Sequence, residues 1–230
     1  MCVTQLVCNH CHAVLGNPER LVSNLSPLSM PRLADILDHA AVYRLWQAPF
    51  ARAKLRPLVK HNDLASVRRV LDVGCGPGTN SPVFSHTDYL GLDLNERYIE
   101  MARRRQPGRF EVADVRSYQA PAGESYDCIL LNSFLHHIDD DNSARILAHM
   151  HSLLSEDGHV HILELVMPAR ASISRWMARH DRGDYPRQLE KWNEMFTSQF
   201  DPVTFEPYPL GRCGITLWDM VYFKGRRKDG

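Results

Sequence analysis

The chain lacks any apolar run near the roughly 20 residues that a bilayer-crossing helix requires, so no membrane span is expected. No signal peptide is expected either, because no basic stretch precedes an apolar one and Cys8, His10, Cys11 and His12 interrupt the N-terminus. A cytoplasmic location follows as the expectation, with the six cysteines as reduced thiols. There is no excess charge of either sign: 27 Lys and Arg balance 27 Asp and Glu. Proteins that bind nucleic acid usually carry a basic surplus to neutralise phosphates, so neither nucleic acid nor membrane is expected as a partner. The short basic run Lys224-Gly-Arg-Arg-Lys228 reads as a solvated terminus. Internal repeats and low-complexity tracts are missing too.

Metal chemistry has little support. Cys8-Asn-His-Cys-His12 has the spacing of half a zinc site or of a haem attachment, but no second ligand pair stands at the usual distance and no export signal accompanies it. No metal is expected. Residues 1–30 combine these cysteines with a Gly-, Pro-, Asn- and Ser-rich stretch and read as a flexible arm.

What is present is an ordinary globular composition, 44% hydrophobic and 23% charged over 230 residues, enough for one domain with an extension. From Pro31, apolar residues at Leu33, Ile36, Leu37, Ala40, Ala41 and Leu45 recur at helical spacing, and a second helical stretch covers 50–59. Then the period changes. Five apolar runs of strand length (67–73, 89–94, 109–113, 126–132 and 159–166) alternate with helix-like segments at 81–85, 96–105 and 141–154. That order predicts βαβ units and a parallel sheet covered on both faces. Residues 171–200 read as helical with many charged and aromatic positions. Runs 203–208 and 219–224 read as two closing strands, whose connection is too short for a parallel crossover. The expected fold is α/β: doubly wound, with a mostly parallel seven-stranded sheet, a C-terminal antiparallel hairpin and an N-terminal helical cover. Its domain spans 31–226, with the cover at 31–60, a substrate-side insertion at 167–200 and a tail at 227–230.

The segment that carries chemistry is Val70-Leu-Asp-Val-Gly-Cys-Gly-Pro-Gly78, an apolar strand running into alternating glycines. Glycine permits positive φ and close approach of a ligand to the backbone, and ligands of open α/β sheets bind beyond the carboxyl ends of the strands. A dinucleotide fingerprint would place a third glycine where Thr79 stands. Asp72 would repel a pyrophosphate but suits a ligand bearing an ammonium group.

The stretch resembles motif I of the class I S-adenosylmethionine-dependent methyltransferases, and the resemblance extends well over 67–166. It implies a cofactor site of Asp72, Gly74, Cys75, Gly76 and Gly78. It also implies Asp93, 19 positions beyond Gly74, for the ribose hydroxyls. Leu94 would flank the adenine, Asp114 and Val115 would meet its amino group and ring, and Asn132 would face the methionine part. S-adenosylhomocysteine would be the product.

The methyl group arrives activated, so such an enzyme chiefly holds a nucleophile in line with it, and a base is needed only for a protonated nucleophile. His137 and His136, after the fourth strand, are the candidate bases. Tyr43, Trp46, Arg175, Arg179 and Tyr185 are candidate substrate contacts on the two covers. The Asn-Pro-Pro-Tyr-like motif of amino-methylating relatives is missing after strand four, where Asn132-Ser-Phe-Leu stands. O- or C-methylation of a small molecule by a monomer or homodimer is therefore expected. A descendant that binds the cofactor without methylating, and a nicotinamide-dependent oxidoreductase, are the competing readings.

Overall fold

The computed structural model describes residues 50–181 and 183–228. The expected arm at 1–30, the helix from Pro31, Tyr43 and Trp46 lie outside the described residues.

Seven strands form one sheet in the order β3-β2-β1-β4-β5-β7-β6. They are β1 (Arg69–Val73), β2 (Asp88–Asp93), β3 (Arg109–Val112), β4 (Tyr126–Asn132), β5 (Leu154–Val166), β6 (Phe200–Arg212) and β7 (Ile215–Arg227). The first five are parallel, and β7 runs antiparallel to both β5 and β6. The strand order reverses between β1 and β4, which opens a crevice at their carboxyl ends.

Both faces of the sheet are buried, and side chains alternate between two cores. Leu71, Val73, Ile129, Leu131, Ile162 and Phe223 pack with α3 (Asp140–Leu153) and α5 (Leu189–Gln199). Their neighbours Val70, Cys128, Leu130, Leu163 and Tyr222 face the other way, toward Leu58 of α1 (Arg56–His61) and Ile99 and Ala102 of α2 (Glu96–Arg105). Asn95 caps α2 by accepting from the backbone N–H groups of Arg97 and Tyr98, and Asp139 caps α3 through Asn142.

The expected doubly wound sheet and closing hairpin are present. Three local expectations change. The helical stretch 171–200 is broken into α4 (Ile173–Arg179) and α5. Between them the polar segment through Gly183 and Pro186 returns to the sheet, where Arg187 bridges Val166. Segment 81–85 is a 3-10 turn rather than an α-helix. The hairpin is longer and tighter than its apolar runs suggested. Thirteen-residue strands meet at Cys213–Gly214, both with positive φ (53° and 78°), a two-residue turn matched to strand twist. Pro202, Pro207 and Pro209 are accommodated because β6 is the sheet edge.

Trp192 anchors α5. It is fully buried, its indole N–H donates to the Leu165 carbonyl at 2.8 Å, and the Arg187 guanidinium lies 4.7 Å from its ring centroid. Trp192→Ala is expected to lower stability by about 3–5 kcal/mol through lost burial and a residual cavity, read as a fall in the urea midpoint.

Candidate functional site

The crevice is built first by the turn after β1. Gly74, Gly76 and Gly78 all have positive φ (66°, 55° and 73°). A Cβ on Gly74 would sit 2.3 Å from the Phe134 ring, and one on Gly78 would sit 2.7 Å from Phe110. These two glycines are required by packing. Gly76 differs: a Cβ there would meet nothing within 4 Å, so its backbone borders open space. The Gly76 N–H donates to Asp93 Oδ2 at 2.8 Å, and Asp93 Oδ1 accepts from the Asn95 N–H at 2.7 Å. Asp93 thus ties the glycine turn to the start of α2. Leu94 beside it is 57% exposed, a large apolar side chain left bare on the rim.

Asp72 is fully buried. Its Oδ2 accepts from Tyr89 and, at 3.0 Å, from Asn80, while Oδ1 has no protein partner. Burial pushes its carboxyl up to about 6, against the pull of the Tyr89 and Asn80 hydrogen bonds. The network continues outward. Asn132 donates to Asn80 at 3.0 Å, Ser133 Oγ lies 3.3 Å from the Asn132 side-chain oxygen, and Lys54 Nζ donates to Ser133 Oγ at 3.1 Å. Asp72 and Asn132 therefore belong to one chain of polar contacts. Cys75 is buried, and burial raises its thiol out of the range of ready ionisation. Val115 is buried, while Asp114 forms an ion pair with Arg116 at 2.6 Å, whose hydrogen bonds hold the carboxyl below its ordinary value.

The end of β4 carries the second part. Ser133 adopts φ 56°, a conformation uncommon for a residue with a side chain. Beyond it the Phe134 and Leu135 N–H groups donate to Oε1 of Glu164, at 2.8 and 2.6 Å. The other carboxylate oxygen of Glu164 lies 2.7 Å from His136 Nδ1, and Asp181 lies 3.4 Å from His136 Nε2. Burial alone would lower the imidazole, but the two carboxylates outweigh it and raise it to about 9. Glu164 is held below its ordinary value despite burial, chiefly by His136. A buried imidazole that stays protonated at neutral pH cannot accept a proton, so the geometry casts His136 as a clamp. His137 is exposed, with its ring 4.2 Å from that of His136.

The clamp organises Asp181 and residues 183–187. Gly183 packs so tightly on His136 that a Cβ would lie 2.2 Å from its ring, and the Tyr185 N–H donates to the His136 carbonyl at 2.9 Å. The buried Arg187 donates to the carbonyls of Leu135 and Ile138 and pairs with Asp140 at 2.7 Å. Among the proposed substrate contacts, Arg175 bends back onto the Pro168 carbonyl, Arg179 is exposed and Tyr185 is 43% exposed. The structure thus brings Asp93 to the glycine turn and links Asp72 with Asn132. It leaves Arg175 and Arg179 away from the His136 cluster's hydrogen bonds.

Sequence reasoning missed Glu164, Lys54 and Arg187, and it noted Asp181 only within the polar stretch after β5. A signal existed for Glu164: it is the one acid inside the apolar strand run His159-Val-His-Ile-Leu-Glu-Leu-Val166, where an unpaired charge is prohibitive. Among the described residues no group of His, Cys, Asp and Glu could hold a metal ion, and no helix is long and apolar enough to cross a membrane.

Residues 70–158 match the family model described as "Methyltransferase domain". The chain is 29% identical over 133 residues to trans-aconitate 2-methyltransferase of Variovorax paradoxus, covering 56% of this chain and 49% of that protein. It is 29% identical over 140 residues to ubiquinone biosynthesis O-methyltransferase of Sinorhizobium fredii, covering 54% and 56%. The chain therefore spans about half the length of these curated relatives. Among solved structures it resembles the S-adenosylmethionine-dependent methyltransferase SibL, with a TM-score of 0.64 at 18% identity over 86% of this chain and 60% of that one. It also resembles human N-acetylserotonin methyltransferase, with a TM-score of 0.62 at 13% identity over 84% and 55%.

The clamp has a pH signature. His136 moves from 6.5 in the open chain to about 9 when folded, so its stabilisation is complete below 6.5 and is lost as pH climbs through 9. Wild-type stability should fall across that window, and His136→Gln should remove the slope, as measured by urea midpoints at successive pH values.

Proposed function

We propose that this chain belongs to the class I S-adenosylmethionine-dependent methyltransferases, binds S-adenosylmethionine at the glycine turn and moves its methyl group to a small-molecule acceptor. The observation that carries the reading is the open backbone at Gly76 joined to the Asp93 carboxylate at the mouth of the crevice. The residues fit the cofactor. Asp93 has lone pairs to spare for two hydroxyls, the bare Leu94 suits the face of a purine, and the orphaned Oδ1 of buried Asp72 marks an unsatisfied acceptor below the turn. An adenine amino group at Asp114 would share that carboxylate with Arg116.

When bound, the cofactor supplies a methyl group already activated by a positive sulfur. What the chain supplies is position. The Asn80–Asn132–Ser133 contacts fix the end of β4 relative to the glycine turn, and the Glu164–His136–Asp181 clamp fixes the segment that follows β5. Holding two reactants in line in this way removes several kcal/mol from a bimolecular barrier. His136 acts in this reading by positioning, and His137 beside it is exposed.

A small acceptor is supported by the balanced charge of the chain and by the relatives' names, which refer to aconitate, ubiquinone and a hydroxynaphthoate. Oxygen or carbon is favoured over nitrogen by Asn132-Ser-Phe-Leu after β4. The domain would span 31–226, with 167–200 as the acceptor-side cover.

Calorimetric titration with S-adenosylhomocysteine tests the reading. The wild type should bind with a micromolar or tighter Kd, and Asp93→Ala should weaken binding at least about tenfold, the loss of one or two hydrogen bonds to a charged acceptor. Absence of heat in the wild type would sink it.

A further inference from the structure

The strongest feature outside the glycine turn is a narrow recess between the ends of β4, β5 and β7. Phe50, Leu165, Trp218 and Met220 wall it, and Lys54, Ser133, His136 and Asp181 supply its polar lining. Its volume of about 10 Å³ is close to what a single water-sized oxygen needs and far too small for a ring. Its polar side is built. Lys54 Nζ sits 3.1 Å from Ser133 Oγ, Ser133 holds its uncommon φ, and the His136 imidazolium stands between Glu164 and Asp181. Ser133 also joins the recess to the polar chain that begins at Asp72 under the glycine turn.

We infer that this recess receives the hydroxyl oxygen of the methyl acceptor, with Lys54 as the general base that takes its proton and Ser133 as the group that orients it. The inference rests on the methyltransferase reading and deepens it: the acceptor class becomes a phenol or enol, whose oxygen enters the recess while its body stays outside.

The step balances. The acceptor O–H proton passes to the neutral Lys54 amine, giving an ammonium beside an oxyanion. A lone pair on that oxygen forms the new O–C bond, and the S–C bond breaks with its electron pair going to sulfur, which becomes a neutral thioether. The ammonium then returns its proton to water. The site's charges agree with this order. In the neutral form that a base role requires, Lys54 would leave the cluster with one cation, His136, against two carboxylates, Glu164 and Asp181. An acceptor entering as an anion would add a third negative charge to a buried place, whereas a neutral hydroxyl adds none. Burial lowers the Lys54 ammonium from its ordinary value, opposed by the carboxylates of Asp181 and Glu164, which is the direction a lysine base requires.

The probe is 4-nitrophenol, which turns yellow on ionisation, added to the protein saturated with S-adenosylhomocysteine. At a fixed pH below the free dye's transition, the wild type should raise the nitrophenolate absorbance, and Lys54→Met should abolish the rise. Bound dye should also protect Lys54 of the wild type from acetic anhydride, read by peptide mass spectrometry, while the exposed Lys191 and Lys228 stay labelled; this arm needs no variant to fold. No absorbance change in the wild type, an unchanged rise in Lys54→Met, or no protection of Lys54 overturns the assignment. Calorimetry on the same samples separates the two failures. Intact S-adenosylhomocysteine binding with no dye response sinks only the Lys54 role, whereas loss of that binding in the wild type sinks the methyltransferase reading itself.

Discussion

One buried carboxylate organises this crevice. Glu164 sits in the middle of the sheet with no exposure, in an environment where an ionised group costs several kcal/mol of desolvation. Two backbone N–H groups and a protonated imidazole offset that cost. The consequences run both ways along the chain. On one side Glu164 fixes Phe134, whose ring closes over Gly74 and excludes any side chain there. On the other it fixes His136, which holds Asp181 and seats Gly183. The turn that would hold a cofactor and the segment that would cover an acceptor are referred to the same carboxylate.

A second line of contacts couples the two halves. Asp72, Asn80, Asn132, Ser133 and Lys54 form a continuous polar path from under the glycine turn to the recess at the end of β4. Networks of this kind are rigid when their members are satisfied, and the one orphaned oxygen, on Asp72, lies at the cofactor end. The proposed methyl transfer would ask chiefly for alignment, and a rigid path of this kind would suit it.

The main elements were legible because burial imposes a period on sequence. Apolar runs at β1, β2, β4 and β5 announced strands covered on both faces, and the helical intervals between them announced parallel pairing. Glycine at 74, 76 and 78 announced a turn no other residue could make without strain. The edges of elements were less legible. Cys213–Gly214 carries no strong turn signature, so the hairpin was read too short, and a proline-rich strand was hidden by residues that only a sheet edge tolerates. The break in 171–200 depended on Arg187 finding Val166, Leu135 and Ile138, contacts with no local trace.

The sequence by itself determined the sheet, the glycine turn and the acid at Asp93, because these follow from local rules of period, φ and spacing along one chain segment. Only the tertiary structure decided what the charged residues do. His136 and His137 are adjacent in sequence and alike in chemistry. One is a buried cation between two carboxylates and the other is exposed, because Glu164 and Asp181 reach the first from segments about 30 and 45 residues away. Lys54 reaches Ser133 across 79 residues. The protonation state of a side chain depends on the charges and solvent around it, and those neighbours are assembled only when the chain has folded.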